Sequence, residues 1–153
     1  MPIQFPLYPK HLTPIHEVYR RPNKTFVDIA GVVVHWCKLE HVGHSKPYRE
    51  VILMDTRFNL IVVGIWSELL ERYAISLQSA GNNNHVILGT MLKLNKRHRC
   101  LETSDHTSFA FNPANLQTRQ LHAFERWCVT GKRDLRFVNR FVEKRWAYLA
   151  TVV

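Results

Sequence analysis

Trp66, Trp36 and Tyr48 stand among cations in a pattern that suits a flat, anionic ligand better than bond-breaking chemistry. Trp66 ends the apolar run Leu60–Trp66, and strand alternation puts it on one face with Gly64, Val62 and Leu60. A glycine beside an indole leaves room for a nucleobase to lie on the ring. Such stacking contributes about 1–3 kcal/mol per base and tolerates any sequence. The competing reading of Trp66 is a core position beneath a helix. Between residues 36 and 49, Trp36, Lys38, Lys46, Tyr48 and Arg49 interleave π faces for bases with positive charge for a sugar-phosphate backbone. Trp36 and Tyr48 serve equally well as packing residues. The turn Lys93–Arg99 is the third group: Lys93, Lys96, Arg97 and Arg99 can neutralise phosphates, and His98 or an arginine can stack. A solvated hairpin tip is the alternative there.

Other chemistry finds little support. His41 and His44 lack an adjacent third ligand, so no metal is expected. Ser104-Asp105-His106 contains triad residue types, but neighbours on a strand point to opposite faces and cannot form a relay. No P-loop, GxGxxG, HExxH or nucleophile elbow occurs, so neither an enzyme nor a cofactor is expected. Cys37, Cys100 and Cys128 are far apart and form no CxxC pair, which argues for a reducing compartment. The apolar run Leu60–Trp66 is too short to span a bilayer, and the first residues do not read as a secretory signal.

Composition narrows the partner. The chain has 153 residues, 46% hydrophobic and 22% charged, enough for one domain with its own core. Lys plus Arg number 21 against 12 Asp plus Glu, a net charge of +9 with the histidines neutral. The excess is concentrated in Lys93–Arg99 and in residues 116–153. An anionic partner is expected.

The elements that must position these residues follow from local pattern. Residues 1–24 are Pro-rich and read as an irregular arm. Thr25–Trp36, Arg49–Asp55 and Leu60–Trp66 read as strands, the first bent at Gly31, with a long loop over 38–48 and a tight turn at Asp55–Asn59. Ser67 is placed to cap a helix running to about Leu77, and Gly81–Asn84 breaks the chain. His85–Leu94 and Cys100–Phe111 follow as strands, then helices over Leu116–Val129 and Arg133–Leu149. The last helix sets Arg133, Arg136, Arg140, Lys144 and Arg145 opposite an apolar stripe, either to pack in cis or to meet a partner. Three strands, a helix and two strands is the order of a mainly β, five-stranded OB-fold barrel with a helical C-terminal extension.

Val27-Asp28-Ile29-Ala30-Gly31-Val32-Val33, Arg49–Thr56, Ile61–Trp66, Glu68 and Phe111-Asn112-Pro113 together resemble a DNA-binding OB-fold of the replication protein A large subunit. The resemblance covers residues 25–129 and is nearest to the second tandem DNA-binding domain, in its plant-like form. It implies single-stranded DNA bound with little sequence preference, in replication, repair or recombination in the nucleus. It also implies that Trp66 stacks on a base, with Lys38, Arg49, Lys93, Lys96, Arg97 and Arg99 on phosphates. The family places a second stacking aromatic in the turn before the last strand; here that turn offers only His98. Residues 130–153 are expected to form a basic amphipathic helix beyond the domain. Single-stranded RNA, and a protein partner or self-association through that helix, stay open as alternatives.

Overall fold

Runs of β-branched and aromatic residues form the long strands, and the structure, a computed structural model, describes residues 12–37, 40–42, 46–113, 116–129 and 136–152. The strands are β1 (Phe26–Trp36), β2 (Glu40–Val42), β3 (Lys46–Met54), β4 (Leu60–Trp66), β5 (Val86–Asn95), β6 (Cys100–Glu102) and β7 (Ser108–Phe111). Five of them are hydrogen-bonded in a ring, β1-β3-β4-β6-β5 and back to β1, antiparallel except for the β4–β6 step. This is the OB-fold order, although the ring is not a regular barrel. Helices α1 (Ser67–Arg72) and α2 (Ala74–Asn83) lie between β4 and β5, and α3 (Leu116–Val129) and α4 (Arg136–Val152) end the chain.

β1 belongs to both halves of the ring. Its ladder slips between Val27 and Ile29 against β5, and between Val33 and His35 against β3. The expected bend at Gly31 is therefore split into two irregularities on either side of it. Gly31 itself serves close approach, since a Cβ there would come 2.8 Å from the Leu53 Cβ.

Alternation sorts the apolar residues. Ile29, Val33, Val51, Leu53, Ile61, Val63, Ile65, Leu92 and Leu101 fill the interior. On the outside, Ala30, Val32, Val86 and Leu88 pack under Leu121 and Phe124 of α3. Ile52, Val62 and Cys100 pack under Phe141 and Val142 of α4. Both C-terminal helices therefore cover the ring.

Several expectations change. Ile15 and Val18, on a 3-10 helix over Ile15–Arg20, are buried in the interior, so this part of the N-terminal segment is built into the core. Part of the expected loop over 38–48 is a hairpin, with β2 paired on the start of β3. Ser67 makes no side-chain cap; β4 runs straight into α1 with Trp66 as the N-cap residue. The helical stretch continues through Gly81 to Asn83 and stops where Asn84 turns left-handed, at φ 53°. Cys100–Phe111 divides into β6 and β7 because hydroxyls compete with the ladder: Ser104 N–H donates to Thr107 Oγ1 at 2.8 Å, and that hydroxyl donates to the Met91 carbonyl at 2.7 Å. Ser104, Asp105 and His106 thus lie in a turn, not on a strand, and the Ser104 hydroxyl donates to Met91 O at 2.9 Å. Among the described residues no helix is long and apolar enough to cross a membrane.

Candidate nucleic-acid interface

Trp66 marks one end of the outer face of β3 and β4. Its backbone N–H donates to Thr103 Oγ1 at 3.0 Å, and its half-buried ring meets the Tyr48 ring with centroids 4.6 Å apart. The space beside Gly64 is not open. The Tyr48 ring fills it, so closely that a Cβ on Gly64 would come 2.2 Å from the Tyr48 hydroxyl. Tyr48 is only 4% exposed and therefore supports Trp66 from below rather than presenting a face of its own. Trp66 lines an open cleft of about 370 Å³ with Lys46, Glu68, Thr103 and Asp105. Two acids face one lysine there, so this end of the surface is not the basic groove expected.

Below Trp66 the face is taken by protein. Glu50, 1% exposed, receives the Tyr48 hydroxyl at 2.5 Å and two bonds from Arg145 of α4, Nε at 2.7 Å and the terminal nitrogen at 2.6 Å. Arg145 also donates to the His98 carbonyl at 2.6 Å, and the His98 ring nitrogen meets the Tyr148 hydroxyl at 2.6 Å. Burial pulls the Arg145 guanidinium down, but the Glu50 carboxylate more than offsets it, and the net shift is upward. Burial pushes the Tyr48 phenol up, further raised by nearby Cys100 and Glu50. The Cys100 thiol, under the same helix, is pushed up to about 12, chiefly by burial. Arg145, expected among the solvated cations of the last helix, is instead 7% exposed and locked to the sheet.

Trp36 and Arg49 lie on the other side of the strands. The slip at Val34 reverses alternation, so Trp36 packs against the interior cluster, with its Cβ side against Gly81 of α2. The Arg49 guanidinium sits 4.0 Å over that ring and also donates through Nε to the Cys37 carbonyl. This pair is separated from Trp66 by the thickness of the sheet. Lys38 and His44 lie outside the described residues, as does the His41 side chain. Among the described residues no group of three His, Cys, Asp or Glu could hold a metal ion.

The turn after β5 keeps its cations in solvent. Lys96, Arg97 and Arg99 are exposed, with the Arg99 guanidinium 5.6 Å from the Tyr19 ring centre. Lys93 and Arg97 line a second cleft of about 280 Å³ together with Lys24, Asn95, His98 and Glu102. Two residues here escaped the sequence reading. Lys24 sits in the Pro-rich segment, and Phe26 opens β1 directly opposite Lys93. Glu50 was also missed. Its signal is an acid sharing a strand face with Ile52, in a run where a carboxylate has no cause to be unless paired.

Residues 13–102, more than half of the chain, match the family described as a domain of unknown function, DUF8448, and the chain belongs to that family. No curated protein matches it. Among solved structures, the chain is similar to one in a replication protein A heterotrimer bound to single-stranded DNA. The TM-score is 0.70 at 15% identity, over 84% of this chain and 30% of that one. At this identity the likeness is one of fold, and the chain spans less than a third of its neighbour's length.

Proposed function

We propose that the chain binds single-stranded DNA with little sequence preference, as an OB-fold related to the second tandem DNA-binding domain of the replication protein A large subunit in its plant-like form. Its setting on this reading is replication, repair or recombination in the nucleus, with residues 25–129 as the binding domain and α4 as a basic helix beyond it. The observation that carries the reading is an OB-fold ring with a half-buried indole at the end of β4 and an exposed, cationic β5–β6 turn. The likeness to a protein solved with single-stranded DNA supports it. Trp66 stacks on a base; Lys46, Lys93, Lys96, Arg97 and Arg99 neutralise phosphates; Tyr48 props the indole. Trp36, Arg49 and His98 act from behind, through the packing described above, and Lys38 extends the cationic set.

A polarisation titration with a dT oligomer tests this. With about four phosphates neutralised, log affinity falls against log salt with a slope near −3. Trp66→Ala weakens binding by about 1–3 kcal/mol. A flat salt dependence, or no binding at low salt, overturns the reading. Competition with matched RNA and duplex oligomers decides the nucleic-acid class.

One observation favours a second reading, a protein-interaction module. The face of β3, β4 and β6 already accepts a helix through the Glu50–Arg145 pair. Gel filtration showing a stable dimer or complex, together with no oligonucleotide binding, selects it.

A further inference from the structure

We infer that Phe26 and the adjoining cleft of Lys24, Lys93 and Arg97 form a nucleotide-binding position, a base lying on the Phe26 ring and a phosphate held in the cleft. This deepens the single-stranded DNA reading and rests on it.

The argument begins with what is left open. Over β3, β4 and β6 the outer face is covered by α4, and removing one partner of the buried Glu50–Arg145 pair is costly. A strand crossing this surface must therefore use the sheet on the far side of β6. There the register continues from Gly64 to Glu102, from Glu102 to Lys93, and from Lys93 to Phe26. Phe26 is 45% exposed, and Met91, two residues from Lys93 on the same strand, is 39% exposed. Directly paired residues of antiparallel strands project to the same side with Cβ atoms about 4.5–5.5 Å apart. An accessible ring thus shares a face with a lysine that lines the cleft beside it, the combination that single-strand grooves use.

The cleft supplies the anion site. Three cations line it against one carboxylate, and that carboxylate, Glu102, accepts a bond from the Asn95 side chain at 3.0 Å. Lys24 reaches the cleft from a left-handed backbone, φ 68°, held by its N–H to the Leu94 carbonyl at 2.9 Å. Glycine or asparagine is the usual occupant of that conformation, and a lysine there is disfavoured. That turn sets Lys24 in the lining of the cleft, one cation of three where a polyanion would pass.

The test is a dT-oligomer titration by fluorescence anisotropy on the full chain, with unfolding midpoints measured for every variant. Phe26→Ala weakens binding about tenfold, Phe26→Tyr retains it, and Phe26→Leu behaves like the alanine variant because it keeps apolar area without a π face. Lys24→Asn with Lys93→Gln weakens binding and shallows the salt slope by about one to two. Lys24→Asn alone leaves the unfolding midpoint unchanged or higher, which separates lost binding from lost folding. Binding by the wild type that Trp66→Ala weakens while the Phe26 and cleft variants do not overturns the inference and leaves the function standing. If Phe26→Leu binds like wild type, the patch works by apolar contact, and the stacking assignment is wrong. A wild type that binds no oligomer at low salt removes the function itself, and the nucleotide position with it.

Discussion

Arg145 and Glu50, 95 positions apart in sequence, form a two-pronged ion pair with bonds of 2.6 and 2.7 Å in which both side chains are buried. The pair fastens α4 to the outer face of β3. A third donor of the same guanidinium takes the His98 carbonyl, so one side chain ties the last helix to both a ring strand and the β5–β6 turn.

Removing one member strands the other charge in a dry site. Arg145→Ala should cost about 3–5 kcal/mol of unfolding free energy, and Glu50→Ala a similar amount. Replacing both with apolar residues of like volume should cost much less than the sum. Urea unfolding of the two singles and the double measures this, and an Arg145→Ala loss below about 0.5 kcal/mol would show the pair to be idle.

Cys100 reports whether α4 is seated. Its thiol is buried beneath Phe141 and Val142 and held near pKa 12, so in the folded chain it is a poor nucleophile. With Cys37 and Cys128 replaced by serine, a disulfide reagent at pH 8 should react with Cys100 far more slowly than with the unfolded chain. Adding Arg145→Ala should raise that rate by an order of magnitude or more. Equal rates with and without Arg145 would mean that the helix is not held by this pair.

Gly64→Ala tests the packing beneath Trp66. The new methyl has no room, because the Tyr48 ring occupies the site and its hydroxyl is committed to Glu50. The expected cost is about 1–3 kcal/mol. Tyr48→Ala in the same chain opens space for the methyl, so the double variant should be less unstable than additivity requires. Strict additivity in thermal or urea unfolding counts against the assigned contact.

Alkaline pH should destabilise the fold through Tyr19. Its phenol donates to the Arg99 carbonyl at 2.7 Å, and burial raises it from 10 to about 12. Between those values the unfolded chain gives up its proton first, so this contribution is complete below pH 10 and lost as pH climbs toward 12. Tyr19→Phe should be less stable at neutral pH for want of the hydrogen bond, yet show a flatter decline above pH 10. An identical alkaline slope in both proteins would exclude Tyr19 as its source.

Local chemistry was enough for the long strands, the C-terminal helices and their order, but not for the 3-10 helix over Ile15–Arg20, for β2 or for the division of β6 from β7. Consecutive β-branched residues over Thr25–Trp36 and Leu60–Trp66 specify strands, and α3 has the expected bounds, Leu116–Val129. The Asp55–Asn59 turn is legible because one carboxylate receives two nearby N–H groups, from Arg57 and Asn59, both at 2.9 Å. These are short-range effects, readable without knowing what lies opposite.

The three-dimensional arrangement decided which side chains share a surface. Period-two alternation assumes an unbroken ladder, and the slip at Val34 sends Trp36 to the side away from Trp66. Nothing near Gly64 in sequence reveals that Tyr48, from the neighbouring strand, fills its space, and nothing near Arg145 reveals Glu50. A charge on an amphipathic helix reads as solvated until a buried carboxylate meets it, and an apolar residue at a strand start reads as core until its face proves uncovered, as at Phe26. Burial and pairing depend on strand partners distant in the chain, and only the closed ring brings those partners together.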